Sequence, residues 1–219
     1  MTAIDIGLLG FAGARTTDQP APVHWCEGCG DYAELDTVQA LLPGLGPAAG
    51  KIVLFSGIEC SGQSPTYRLT GGVHVIHGRA PSIATGLAMG RPDLSVWIAI
   101  RDGHTLATGG NHLINTLHSN VDIKVLLYDN KPDPLAMNCD MTFLGRVGYS
   151  DRPGLAEVLT AAARHRGSAL VQIRPAGQRV SPTGILRQVD RPTHTDRARA
   201  GDSASGVPEL DALGRGSGE

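Results

Sequence analysis

The sequence predicts a doubly wound α/β fold built on a mostly parallel sheet. Three observations point there: short runs that are apolar throughout, their content of β-forming residues, and helix-length segments between them. A strand covered on both faces has no polar side to show, so uninterrupted apolar runs read as parallel strands under helices. The first run, 52–57, closes on Gly57. Residues 82–89 are small and apolar and read as a helix, stopped by Gly90 and Pro92. Residues 95–100 form the second strand, and 109–119 a helix with Leu113, Ile114 and Leu117 on one face. A third strand over 123–128, a fourth over 142–147, an amphipathic helix over 155–165 and a fifth strand over 169–173 complete the alternation. Ligands of such folds bind beyond the carboxyl ends of the strands. That rule singles out 57–61, 101–104 and 129–131.

With 219 residues, 41% of them hydrophobic and 18% charged, the chain suits one soluble domain that needs no disulfide staples. A formal charge of −2 gives no electrostatic case for nucleic acid or an anionic membrane. No apolar run approaches the roughly 20 residues needed to span a bilayer. Residues 4–11 are mildly apolar but lack a basic flank and a cleavage site, so a cytoplasmic location is expected. Residues 1–22 read as a loose lead-in and 23–180 as the α/β domain. From 181 to 219 the composition shifts to Arg, Asp, Gly, Ser and Pro. Such a segment buries too little apolar surface to offset its ordering entropy, so a disordered tail is expected there.

Three clusters carry chemistry. Cys26-Glu27-Gly28-Cys29 sets two thiolates within chelating reach, and Cys60, just past the first strand, adds a third. Taken alone the pair also reads as buried or idle cysteines, but the adjacent glycines favour a backbone folded around a metal. Arg101-Asp102-Gly103-His104 closes one strand and Asp129-Asn130 the next. Mg²⁺ takes hard oxygen ligands from few protein groups plus phosphate and water, which Asp102 and Asn130 could supply; ordinary turns at both places are the alternative. The segment 74–80, with His74, His77, Gly78 and Arg79 ahead of a helix, offers donors to a phosphate.

In order and spacing, residues 25–32, 56–61, 74–85, 92–97 and 102–130, with Gly109-Gly110-Asn111-His112-Leu113-Ile114 the most telling, resemble the β subunit of 2-oxoacid:ferredoxin oxidoreductases. The resemblance runs over about 23–131 and more loosely over about 133–175. It implies a thiamine-diphosphate-binding fold, with Mg²⁺ and a 4Fe–4S iron–sulfur cluster. It also implies an α subunit that completes the active site, and oxidative decarboxylation of a 2-oxoacid to acyl-CoA with ferredoxin as electron acceptor. Matched to its motifs, Cys26, Cys29 and Cys60 are cluster ligands. Ile58, Glu59, Cys60, Ser61, His77, Gly103 and His104 contact the cofactor. Asp102, Asn130 and the carbonyl near Pro132 hold Mg²⁺.

The chain departs from the family pattern at several of these places. Arg101 and His104 stand where the family has glycine and an acidic residue, and Glu59 where it has glycine. After Asn130 most of the loop that embraces the thiamine is absent, since Lys131 leads almost at once into Pro132-Asp133-Pro134. Where the family has its fourth cluster cysteine, this chain has Ala176 and Gly177, and Cys139 reads as a buried thiol. Three cysteines fit a cluster with one open iron, or a zinc site completed by His24. A degenerate paralogue acting as a binding module and a zinc-stabilised protein therefore stand beside the enzyme reading.

Overall fold

The computed structural model describes residues 51–57, 71–128, 141–148, 150–174 and 182–199, together with Tyr32, Thr37, Ala40, Leu41 and Gly44. Seven strands form one sheet: β1 (Ile52–Ser56), β2 (Gly71–His74), β3 (Ser95–Arg101), β4 (Ile123–Tyr128), β5 (Phe143–Gly148), β6 (Ala169–Arg174) and β7 (Gly184–Gln188). The described helices are α1 (Ala80–Gly90), α2 (Asp102–Ser119), α3 (Arg152–Arg164) and α4 (His194–Arg199). The strand order is β2-β1-β3-β4-β6-β5-β7. β1 through β6 run parallel, and β7 pairs antiparallel with β5 at the edge. This is the predicted doubly wound architecture.

The period-2 alternation of strand side chains divides the core into two layers. Val53, Phe55, Val96, Ile98, Ile100, Ile123, Val125 and Leu127 face one way, against Ala84 and Ala88 of α1 and Leu113 and Leu117 of α2. Ile52, Leu54, Trp97, Ala99, Leu126, Phe143, Val171 and Ile173 face the other, against Leu155, Val158, Leu159 and Ala162 of α3. Small residues set the closest approaches. A Cβ on Gly145 would run into the Val158 side chain, so glycine there lets α3 lie close on β5. The helix starts follow local chemistry. Pro81 and Pro153 sit in the first turns of α1 and α3, where a missing N–H costs nothing. The Asp151 carboxylate accepts the Gly154 amide at 3.0 Å and caps α3.

Three expectations are corrected. The helix expected from 109 begins seven residues earlier, at Asp102, directly on the end of β3. Asp-Gly-His resembles a turn locally, so the sequence alone starts the helix late. β2 was not foreseen, because Gly71-Gly72-Val73-His74 carries almost no apolar signal of its own. The disordered tail is wrong over 182–199: β7 extends the sheet and α4 follows it. Composition misjudged that segment because its order rests less on apolar burial than on hydrogen bonds to other elements, described below. The rest of the tail and the lead-in lie outside the described residues. Among the described residues no helix is long and apolar enough to cross a membrane.

Candidate functional site at the carboxyl edge of the sheet

Six parallel strands send their carboxyl ends to one edge. There β1 leads to β2 on one side of itself, while β3 lies on its other side, so the winding direction reverses between β1 and β3. A crevice opens at such a reversal, and ligands of open α/β sheets bind in it. Registry sets the depth of each strand end. Ser56 pairs with His74 and Ala99, and Arg101 pairs with Tyr128. Asp102 therefore opens α2 level with the carboxyl end of β4.

α2 begins at this crevice with no intervening loop. Its N-cap, Arg101, has extended backbone (φ −103°, ψ 150°) and no side-chain cap bond. A guanidinium only donates, so it cannot accept the first-turn amides as a serine or aspartate cap would. Those amides and the positive end of the helix dipole thus remain suited to an anion. Asp102, Gly103 and His104 form that first turn.

His77 is half-buried on the turn that follows β2. The Val75 amide donates to the Ser56 carbonyl at 3.0 Å, which ties the turn to the end of β1. Gly78 has φ +70° and packs on α2, where an added Cβ would come 2.7 Å from Thr108 Oγ1 and 2.8 Å from the Gly109 amide nitrogen. Two glycines in contact thus bring the His77 turn onto the amino-terminal half of α2. Beside them Arg79 bonds to Nε2 of His112, and Thr85 bonds to Thr116 at 2.9 Å, further coupling α1 to α2. An arginine donates, so Nε2 of His112 accepts.

The structure thus brings His77 and the Asp102-Gly103-His104 turn to the same edge of the sheet. Ile58, Glu59, Cys60, Ser61, Asn130, Pro132, Cys26 and Cys29 lie outside the described residues, and among the described residues no group of three metal-ligating side chains is present. The Gly78–Gly109 contact and the Arg79–His112 pair were not foreseen from the sequence. Their signal was there: Gly109-Gly110 inside a helix costs roughly 1 kcal/mol per residue relative to alanine, which usually marks a close approach.

Comparison with known proteins points to the same fold. Residues 56–132 match the family described as thiamine pyrophosphate enzyme, C-terminal TPP binding domain. The chain is 44% identical over 203 residues to the 2-oxoglutarate oxidoreductase subunit KorB of Mycobacterium tuberculosis, covering 74% of this chain and 54% of that one. It is 33% identical over 184 residues to the 2-oxoacid:ferredoxin oxidoreductase subunit beta of a Sulfolobus species, covering 68% and 60%. The chain therefore spans little more than half the length of these relatives. Among solved structures, the 2-oxoglutarate:ferredoxin oxidoreductase of Magnetococcus marinus superposes with a TM-score of 0.73, over 85% of this chain and 90% of that chain. At 24% identity that likeness shows the fold.

Proposed function

We propose, from the premise that this chain belongs to the β subunits of 2-oxoacid:ferredoxin oxidoreductases, that it binds thiamine diphosphate with Mg²⁺ at the crevice between β1, β3 and β4. There it would serve oxidative decarboxylation of a 2-oxoacid to acyl-CoA. The observation that carries this reading is the start of α2 at the winding reversal, without a side-chain cap and one residue beyond the Arg101–Tyr128 pair. The residues fit the group. First-turn amides of α2 suit a diphosphate, and Asp102, with Asn130 two positions past β4 in sequence, offers the hard oxygens of a cation that completes its shell with phosphate and water.

In this reading Asp102, Asn130 and the carbonyl near Pro132 hold Mg²⁺. Gly103 lets the diphosphate approach the backbone, while Ile58, Glu59, Cys60, Ser61, His77 and His104 line the cofactor. When bound, thiamine diphosphate supplies the nucleophilic carbon and electron sink that decarboxylation of a 2-oxoacid requires. The protein's part is placement: the glycine contact with α2 holds the His77 turn, and α2 presents its amides without reorganisation. Cys26, Cys29 and Cys60 hold the iron–sulfur cluster. An α subunit, CoA and ferredoxin complete the reaction. Arg101 and His104 add positive or donor character where the family has glycine and an acid, which suits an anionic diphosphate.

Calorimetric titration with thiamine diphosphate and Mg²⁺ tests the cofactor. Saturable Mg²⁺-dependent binding is expected, lost in Asp102→Ala; unchanged affinity in that variant refutes the assigned cradle. No binding even with an α subunit present leaves the degenerate binding module, a reading that the shortened stretch after Asn130 favours. Metal analysis of anaerobically purified protein is expected to find iron with acid-labile sulfide. Zinc without iron replaces the cluster with a structural zinc site.

A further inference from the structure

Residues 184–199 cross the edge of the sheet opposite the cofactor crevice and are held there by polar contacts centred on Asn120. This residue ends α2 in the left-handed conformation (φ 52°, ψ 40°) and is buried. Its Nδ2 donates to the carbonyls of Pro192 at 3.2 Å and Arg191 at 3.4 Å, and its own carbonyl accepts the His194 amide at 3.2 Å. Its Oδ1 accepts the Ser168 amide at 3.0 Å and the Thr142 hydroxyl at 2.8 Å. The Val189 amide donates to the Thr142 carbonyl at 2.8 Å. Asn120 and Thr142 therefore hold the strap and the sheet together.

His165 stands behind this pair. It is buried, and its Nε2 lies 2.8 Å from Thr142 Oγ1. Thr142 has one hydroxyl proton and two neighbours that only accept, Asn120 Oδ1 and the Ser168 carbonyl. The proton goes to one of them, so Nε2–H of His165 donates to Thr142. Nδ1 is then the bare nitrogen, buried and without a partner among the described residues. A proton added there finds no acceptor. Nearby, the buried Lys124 ammonium bonds to the His165 carbonyl at 2.6 Å, to the Gly167 carbonyl at 3.1 Å and to Asp122.

His165 borders a cavity of about 540 Å³ between the end of α3 and the strap, shared with Arg164, Arg166, Gln188, Asp190, Arg191, Pro192 and Asp196. Asp196 is already engaged by Thr193 and Arg166, which leaves Asp190 as the facing carboxylate. Residues 190–192 and Asp196 of the strap wall this cavity beside His165, so lifting the strap opens it to water.

We infer that residues 184–199 form an acid-sensitive latch: a proton added at the buried, acceptor-less Nδ1 of His165 favours the state in which the strap lifts off Asn120 and admits water to the ring, baring the β5 edge that β7 covers. Burial, then Lys124, holds the imidazole below its ordinary value, with Asp122 and Asp190 opposing. A base that binds its proton more weakly in the latched state stabilises the latch above its free value of about 6.5, and the latch weakens as pH falls below it. Within that window the opening constant rises by up to tenfold per pH unit.

Amide hydrogen exchange on the full chain, corrected for intrinsic rates, reads this directly. Protection of the Val189 and His194 amides is expected to fall by up to about fivefold between pH 6.5 and 5.5, while Ile98 and Leu126 stay protected. In His165→Gln, which keeps a neutral donor, the fall disappears. A flat profile in the wild type, an undiminished fall in His165→Gln, or joint loss of protection in the core strands each overturns the latch. Should His165→Gln not fold, ring-nitrogen NMR of the wild type decides. A neutral Nε2–H ring whose protonation coincides with the loss of strap protection supports the latch; a ring that protonates at or above 6.5 with the strap still protected sinks it.

Discussion

Gly78 meets α2 with no room to spare, and its φ of +70° lies where an L side chain is strained. Alanine there would incur the left-handed penalty of about 1–2 kcal/mol and an overlap with Thr108 and Gly109 of a further 1–3 kcal/mol. Gly78→Ala is therefore expected to lower unfolding free energy by about 2–4 kcal/mol in urea titrations, and to weaken cofactor binding because the His77 turn shifts. Asp151 poses a milder test. It caps α3 through the Gly154 amide alone, so Asp151→Ala is expected to cost about 1 kcal/mol and leave cofactor binding untouched. At this scale the sequence was partly legible. The run from His74 to Arg79 stood out as donor-rich, but the partner that makes Gly78 necessary lies 31 positions away at Gly109, and local reading cannot find it.

Among the elements, α2 does two jobs at its two ends. Its amino end opens at the crevice proposed for the cofactor, and its carboxyl end, through Asn120, holds residues 191–194. Asn120→Ala would leave the Ser168 amide without its acceptor and the Arg191 and Pro192 carbonyls without their donor, at roughly 1–3 kcal/mol for each buried orphan, besides forcing alanine into the left-handed region. A loss of about 3–5 kcal/mol is expected in denaturant melts, and Asn120→Gly should recover about 1 kcal/mol of it by relieving the backbone term alone. Equal losses in the two variants would show that the side chain carries the whole effect. β7 and α4 escaped the sequence because their composition is polar and their order depends on Asn120 and Thr142, residues that precede them by 40 positions or more. The apolar strands of the sheet, by contrast, were legible one by one.

For the molecule as a whole, the parallel sheet gathers strand ends from across the sequence at one edge, and a ligand bound there by the folded state alone stabilises it by mass action. Thiamine diphosphate with Mg²⁺ at a hundred times its Kd is expected to add about 2.7 kcal/mol, hence a rise in Tm of roughly 5–10 °C for a chain of this size, reversed by a chelator. No shift under saturating ligand would count against the cofactor reading. Global stability should also decline on acidification below about pH 6.5, since the unfolded chain binds the His165 proton more readily than the folded one, and His165→Gln should flatten that slope. What the sequence determined by itself was the alternation of buried strands and helices, hence the fold class, and the ordered motifs that carry the family. Both are local patterns, written in residues close together along the chain. Only the tertiary structure decided where α2 begins, that β2 and β7 complete the sheet, and that Gly78, Asn120 and His165 matter. Each of these depends on a partner brought near by packing, and no window of sequence contains both members of the pair.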